Sequence, residues 1–201
     1  MIKLYGISAS RAFRPMWLME EIGLDYELIP VDFRKGENWT EDYLAINPNG
    51  KIPTLIDDDL VLYESMAINL YLAKQYGGSL YPDSPAQEAL TNMWSYWVMT
   101  EVEYSLLTIL LNTRLLPEEQ RKPERIERNL LVLEKPFSVL NDALEGKTFL
   151  IEETFCIADL NVAAVISWCR PARVNLKRWP NMKDWLERCI SRPAFKKATR
   201  K

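Results

Sequence analysis

The sequence predicts an α/β domain followed by an all-helical domain, and three observations carry that prediction. Residues 1–79 alternate short apolar runs with helical periods, in the order strand, helix, strand, helix, strand, strand, helix (βαβαββα). Leu80-Tyr81-Pro82-Asp83-Ser84-Pro85 then has linker composition, with two prolines among polar residues. Beyond it no strand pattern recurs, and every long segment has helical spacing. The expected division is 1–79 for the first domain, 80–86 for the linker and 87–201 for the helical domain.

In the first domain, Ile2 to Tyr5 is a short apolar strand ending at Gly6. Ala12 to Ile22 reads as a helix, with Phe13, Met16, Trp17 and Glu20-Glu21 at helical spacing and Gly23 as its stop. Pro15 fits a first turn, where its missing N–H has no helical partner. Ser8 and Ser10 therefore fall in the loop before that helix. Tyr26 to Val31 reads as a second strand, Asn38 to Ala45 as a short helix, and Asn47-Pro48-Asn49-Gly50 as a turn. Thr54 to Ile56 and Leu60 to Tyr63 form a hairpin around Asp57-Asp58-Asp59. A third helix follows Glu64-Ser65 and stops at Gly77-Gly78. In the second domain helical patterns run from Ala86 to about Leu116, Glu124 to Leu144, Ile157 to Cys169, Met182 to Ile190 and from Ala194 onward.

Composition excludes several function classes. The chain has 201 residues, 48% apolar and 26% charged, which is ordinary globular composition. Its 25 basic and 28 acidic residues leave a net charge of −3, with no footprint for nucleic acid. No apolar run approaches the ~18 residues of a membrane span; the densest, Ser105 to Leu111, is short. The opening Met1-Ile2-Lys3-Leu4-Tyr5-Gly6 is too short and polar for a signal peptide, so a cytoplasmic protein is expected. There is no histidine, which removes Ser-His-Asp and Cys-His machinery and His-based zinc sites. Cys156, Cys169 and Cys189 form no Cys-x-x-Cys pair and read as buried, reduced side chains; no metal is expected. Gly146-Lys147-Thr148 fails as a P-loop because the required earlier glycine position is Asn141.

One segment is unusual: Asn49-Gly50-Lys51-Ile52-Pro53-Thr54-Leu55, followed after the hairpin by Tyr63-Glu64-Ser65-Met66. A proline opening a strand belongs at an edge or turn, and an Ile-Pro bond there is a candidate cis peptide that turns the Ile52 N–H and C=O outward. Glu64-Ser65 at a helix start sets a carboxylate and a hydroxyl beside exposed N–H groups. By spacing alone this is one hairpin turn and one capped helix.

These residues resemble the cytosolic glutathione transferase family, and the resemblance covers nearly the whole chain. Lys51-Ile52-Pro53-Thr54-Leu55 is similar to the family's Lys-Val-Pro-x-Leu segment, and Glu64-Ser65-x-Ala67-Ile68 to its Glu-Ser-x-Ala-Ile helix start. Ala158-Asp159-Leu160 matches the Ala-Asp-Ile core of the central helix of the second domain. Trp185-x-x-Arg188 with Arg192-Pro193-Ala194 is similar to the family's closing signature. The resemblance implies a thioredoxin-like first domain and an all-helical second one. Two departures concern folding of the second domain: Cys156 stands where the family's capping box has Ser or Thr, and Glu152 where it usually has Gly.

The resemblance also implies a serine-type (theta- or delta-like) bacterial enzyme that conjugates the glutathione thiolate to hydrophobic electrophiles. Glutathione is then a co-substrate, no cofactor is tightly bound, and the partners are glutathione, the electrophile and a second copy of the chain. Ile52 would pair with the cysteinyl backbone, Ser65 would take the γ-glutamyl carboxylate, and Glu64 would sit near the α-amino group. Lys51 and Asn49 would meet the glycyl carboxylate. Ser10-Arg11-Ala12-Phe13-Arg14 is similar to the family's Ser-x-x-Cys-Arg pattern and makes Ser10 the expected thiolate partner. Ser8 remains the alternative, because alignments slip in this loop, and Tyr5 reads as strand. Arg11 and Arg14 read either as positive potential near the sulfur or as solvated surface residues. The electrophile pocket is expected between domains, with Phe13, Trp97, Thr100, Glu101, Tyr104 and Trp168 as lining, each with core packing as the competing reading. Rival functions are glutathione-dependent disulfide or hydroperoxide reduction and a non-catalytic binding module.

Overall fold

The computed structural model describes residues 1–151 and 153–200, so the expected departure at Glu152 lies outside the described residues. The chain divides into two units, Met1–Tyr81 with Arg192–Lys201, and Pro82–Ser191. In the first, β1 (Lys3–Tyr5), α1 (Phe13–Ile22), β2 (Glu27–Ile29), α2 (Glu41–Ile46), β3 (Thr54–Asp57), β4 (Leu60–Tyr63) and α3 (Ser65–Tyr76) follow the expected order. The sheet runs β2-β1-β3-β4, with β1 parallel to β2 and the other pairs antiparallel. Leu4 sits opposite both Leu28 and Leu55, and Leu4 and Leu55 are fully buried, so the centre of the sheet is anchored on one apolar register.

The helix expected over Asn38 to Ala45 splits at Thr40. A 3-10 turn over Glu37–Trp39 precedes α2, and Thr40 caps α2 by accepting from the Tyr43 N–H at 3.4 Å. Residues Phe13 to Met19 of α1 are buried without a break. A helix buried all round needs cover on every side. α3 packs on one side of α1, and α9 (Pro193–Ala198) packs on another.

The final segment departs from the expected division at 87–201. Phe195 meets the rings of Phe13 and Trp17 edge-on at 5.2 and 4.9 Å, Arg192 Nε donates to Glu21 Oε1 at 2.8 Å, and Lys197 pairs with Glu20. Those contacts group residues 192–201 with the α/β unit, although they follow the helical one in sequence. The expectation went astray because helical periodicity identifies a helix and not the neighbour it covers.

The second unit holds α4 (Pro85–Trp97), α5 (Tyr104–Leu110), α6 (Pro123–Ala143), α7 (Ile157–Ile166) and α8 (Pro180–Ser191). Ser84 caps α4 by accepting from the Gln87 N–H, with Pro85 in the first turn. The long pattern from Ala86 to Leu116 is interrupted by two π turns, Val98–Glu103 and Leu111–Leu115. The first turns Val98, Val102 and Glu103 inward and leaves Thr100 and Glu101 exposed.

Every residue of α7 is buried, which makes it the axis of this unit. Its Asp159 carboxylate accepts from the N–H groups of Leu150 (2.9 Å) and Cys156 (3.1 Å) and from Trp185 Nε1 (2.8 Å). The capping box closes despite the thiol, with the Asp159 N–H directed at the Cys156 sulfur. Burial drives the Asp159 carboxyl above the usual carboxylate range, opposed by its donors, Trp185 foremost. Burial, reinforced by the Asp159 charge, pushes the Cys156 thiol up to about 12, and burial raises Cys169 as well.

Two outcomes are expected. Asp159→Ala strands three buried donors and should cost about 3 kcal/mol or more of unfolding free energy, measured by urea denaturation. The native protein should resist a thiol reagent at neutral pH while three cysteines react in denaturant, because all three are buried and the Cys156 and Cys169 thiols are also raised in pKa.

Candidate functional site

The turn before β3 is held by polar side chains that local sequence identifies only as turn and helix residues. Tyr43 OH donates to the Lys51 carbonyl at 2.6 Å, and Asn47 Nδ2 donates to the same oxygen at 2.8 Å and to Thr54 Oγ1 at 3.0 Å. Burial raises the Tyr43 phenol above its ordinary pKa, so it stays a donor. Asn38 Nδ2 holds the Gly50 carbonyl at 2.7 Å. Gly50 has φ +57 and lies under the Trp39 ring, where a Cβ would meet ring carbon at 2.5 Å, so glycine is required there.

Within this frame the Ile52–Pro53 bond is cis, as expected. Neither the Ile52 N–H nor its C=O has a hydrogen-bond partner among the described residues. A Cβ placed at Gly6 would meet Ala12 at 2.6 Å and Ile52 at 3.6 Å. The Ile52 turn, the end of β1 and the start of α1 therefore meet at one point.

The loop between β1 and α1 carries both serines. Ser10 Oγ donates to the Ile7 carbonyl at 2.7 Å and accepts from the Ala12 N–H at 3.1 Å, while its own carbonyl receives the Phe13 N–H. Ser10 is thus the residue that organises the entry into α1. The Ser8 hydroxyl has no hydrogen-bond partner among the described residues. Tyr5 lies in β1 opposite Thr54, as its strand reading requires.

Ser65 is the first residue of α3, so its N–H lacks an intrahelical acceptor. Its side chain is buried and accepts from Arg14 Nη1 at 2.9 Å. Arg14 is 1% exposed, which overturns its reading as a solvated surface arginine. The Ser-x-x-x-Arg spacing was the available signal: in the first turn of α1 it turns the arginine toward the start of α3. Because the guanidinium holds one oxygen lone pair, the Ser65 O–H must donate elsewhere, and it has no acceptor among the described residues. Glu64, just before it, is exposed and adopts φ 74, a positive angle that a non-glycine residue enters only at a cost of about 1 kcal/mol or more.

Other expected residues are less engaged. Lys51 is exposed, whereas Asn49 spends its side-chain amide on Asn47 Oδ1 at 3.2 Å. Phe13 is built into the aromatic cluster with Trp17 and Phe195, so core packing accounts for it. In the second unit, Trp97 stacks edge-on against Trp94 at 5.0 Å, and Thr100 donates back to its own helix at 3.2 Å. Glu101 and Tyr104 are exposed. Trp168 lies in a 3-10 turn, half-buried. Among the described residues no group of three His, Cys, Asp or Glu side chains is placed to hold a metal ion, and no helix is long and apolar enough to cross a membrane.

A cluster of donors around the first turns of α1 and α3, beside an unpaired backbone N–H and C=O, suits a ligand with a peptide backbone and a carboxylate. Comparison with known proteins agrees. The model of the glutathione S-transferase N-terminal domain matches residues 1–74, and that of the C-terminal domain matches residues 104–193. Glutathione S-transferase 3 of Zea mays is 33% identical over 205 residues, covering 98% of this chain and 92% of its own. The disulfide-bond oxidoreductase YfcG of Escherichia coli is 35% identical over 202 residues, covering 96% and 92%. The structure of a theta class glutathione S-transferase from Xanthomonas axonopodis pv. citri, with glutathione bound, superposes with a TM-score of 0.92 at 31% identity, covering 100% of this chain and 97% of that one. Two family models that together span most of the sequence, and relatives this similar along nearly its whole length, show that the chain belongs to the glutathione S-transferase family.

Proposed function

We propose that this protein binds glutathione at the meeting point of α1, α3 and the Ile52 turn, and joins its sulfur to hydrophobic electrophiles. The observation that carries the proposal is the Arg14–Ser65 bond, which leaves a buried hydroxyl with its hydrogen uncommitted at the start of a helix. A hydroxyl that accepts from a cation is a stronger donor, and the γ-glutamyl carboxylate is the acceptor it suits. The Ser65 N–H adds a second donor at the positive end of α3. Ile52 takes the cysteinyl backbone through its open N–H and C=O, Glu64 faces the α-amino group, and Lys51 meets the glycyl carboxylate. Asn49 serves the turn through Asn47 and is a weaker candidate for that carboxylate.

The chemical step needs a thiolate, since a free thiol has a pKa of roughly 8.5 and reacts only when ionised. Ser10 is the proposed donor to the sulfur. Its hydroxyl turns from the Ile7 carbonyl to S⁻ while the Ala12 N–H stays on the oxygen, which strengthens the O–H as a donor. The sulfur then adds to the electrophilic carbon, and the leaving group or the adjacent carbon carries away the electron pair. The thiol proton leaves to solvent as the thiolate forms, so no protein base is required. Thr100, Glu101 and Tyr104, with Trp97, form the proposed surface of the second unit for the electrophile.

A second reading, glutathione-dependent disulfide reduction, is supported by the similarity to a disulfide-bond oxidoreductase. The same thiolate would attack sulfur in place of carbon. The three cysteines of the chain are buried, so the reducing thiol would be that of glutathione. Dimerisation is proposed from the family and from apolar side chains left exposed in each unit: Val61 and Tyr63 on β4, Leu90, Met93 and Tyr96 on α4.

The purified protein is expected to conjugate glutathione to an activated haloaromatic, and disulfide reduction with no conjugation would replace the first reading by the second. Ser10→Ala should raise the pKa of bound glutathione, read by thiolate absorbance, by about one to two pH units. If the shift appears in Ser8→Ala instead, the free hydroxyl is the donor. Ser65→Ala should weaken glutathione binding by about 1–3 kcal/mol. Arg14→Lys should cause a loss of the same order, and the double variant no more than the larger single loss, because the two side chains act as one unit. Additive losses in calorimetric titration would separate their roles.

A further inference from the structure

From residue 75 to residue 113 the chain carries four acidic side chains, Asp83, Glu88, Glu101 and Glu103, and no lysine, arginine or histidine. α4, the first π turn and α5 all fall within that stretch. Its outer face therefore has no cation of its own to offset a carboxylate. Burial sorts the residues around the turn: Trp94, Val98, Val102 and Glu103 point inward, whereas Tyr96, Thr100, Glu101 and Tyr104 are exposed.

Glu101 has neither a hydrogen bond nor an ion pair among the described residues. Aromatic side chains stand on the same side of the helix. Tyr104 is 76% exposed, and Tyr96, five residues before Glu101 and so one π turn away, is 59% exposed. Trp97 is half-buried between them, with Trp94 edge-on at 5.0 Å. Thr100 spends its hydroxyl hydrogen on the carbonyls of Tyr96 and Trp97, at 3.2 and 3.3 Å, so it gives an anion no donor.

We propose that this face selects cationic second substrates, electrophiles that carry an ammonium group, with Glu101 as the specificity-determining residue. The proposal rests on the reading of this face as the electrophile surface. Ring faces attract positive charge, and an uncommitted carboxylate among them supplies the full counter-charge. An anionic electrophile meets the same carboxylate with no cation from this stretch to neutralise it, so it is disfavoured. A neutral electrophile has the rings alone. The expected order of preference is cation, neutral molecule, anion.

The test compares 4-chloro-3,5-dinitrobenzoate, its N-methylamide and its N-(2-trimethylammonioethyl) amide as substrates of the full-length protein with glutathione. In each, the thiolate forms the carbon–sulfur bond and chloride leaves with the electron pair, and each rate is divided by the uncatalysed one. The kcat/KM so corrected should favour the cationic amide over the benzoate by about tenfold, a ratio that Glu101→Gln cuts about threefold and Glu101→Lys inverts. About 0.5 M salt should narrow it as well. Binding is read separately, without glutathione, by equilibrium dialysis of benzyltrimethylammonium, which Glu101→Gln should hold several-fold more weakly. A ratio unmoved by Glu101→Gln, or cation binding indifferent to it, would overturn the assignment and leave the proposed transfer intact. Cation binding that follows Glu101 while no chloride is displaced would uphold the assignment and overturn the transferase reading instead.

Discussion

The hydrogen bond from Arg14 to Ser65 fixes where positive potential can be used in the α/β unit. It joins the first turn of α1, whose N–H groups are taken up by the loop before it, to the first residue of α3, whose N–H has no intrahelical acceptor. A guanidinium at 1% exposure is among the costliest side chains to take out of water, and its place beside Ser65 gives that cost a return in the direction of a hydroxyl hydrogen. Were Arg14 apolar, Ser65 would be free to turn its hydrogen toward its own helix, and the start of α3 would lose its aim.

The neighbouring turn works by contrast between satisfied and open backbone groups. The Lys51 carbonyl receives two donors, from Tyr43 and Asn47, and the Gly50 carbonyl receives Asn38. Ile52, next in sequence, keeps both its groups open. Ile52 is half-buried, and an open pair between carefully paired neighbours supports the proposal that another chain pairs there. A tripeptide thiol offers such a chain one residue long, which is why the proposed function treats Ile52 as a fragment of strand pairing.

Much of this was legible in the sequence. Gly23 and Gly77 marked helix ends, the Asp57-Asp58-Asp59 hairpin fixed β3 and β4, and the motif pair around Ile52 and Ser65 pointed to the family. What escaped detection depended on contacts distant in sequence. Arg14 reads equally as a positive group near the sulfur or as a surface residue until the start of α3, 51 positions later, comes to rest on it. Asn38 and Asn47 read as turn residues, since nothing local says that their amides face inward. The π turns in 98–103 and 111–115 are invisible to a 3.6-residue period, and the place of α9 against α1 depends on Phe195 finding Phe13 and Trp17.

The proposed mechanism needs no histidine, because the task is to stabilise charge while the thiol proton leaves to solvent. Bringing a thiol from roughly 8.5 down by two pH units corresponds to about 2.7 kcal/mol of differential stabilisation. One hydrogen bond to a charged group contributes about 1.5–3 kcal/mol, and a helix N-terminus adds a few tenths to one more. A serine at the entry to α1 therefore meets the requirement by itself, and further basic residues would add little. The thiolate so formed does not discriminate: carbon and sulfur electrophiles both accept it, in agreement with a family whose relatives of this chain include transferases and a disulfide-bond oxidoreductase. In the proposed mechanism what separates those reactions lies in how the second substrate is presented, with specificity assigned to the helical unit and the nucleophile to the α/β unit.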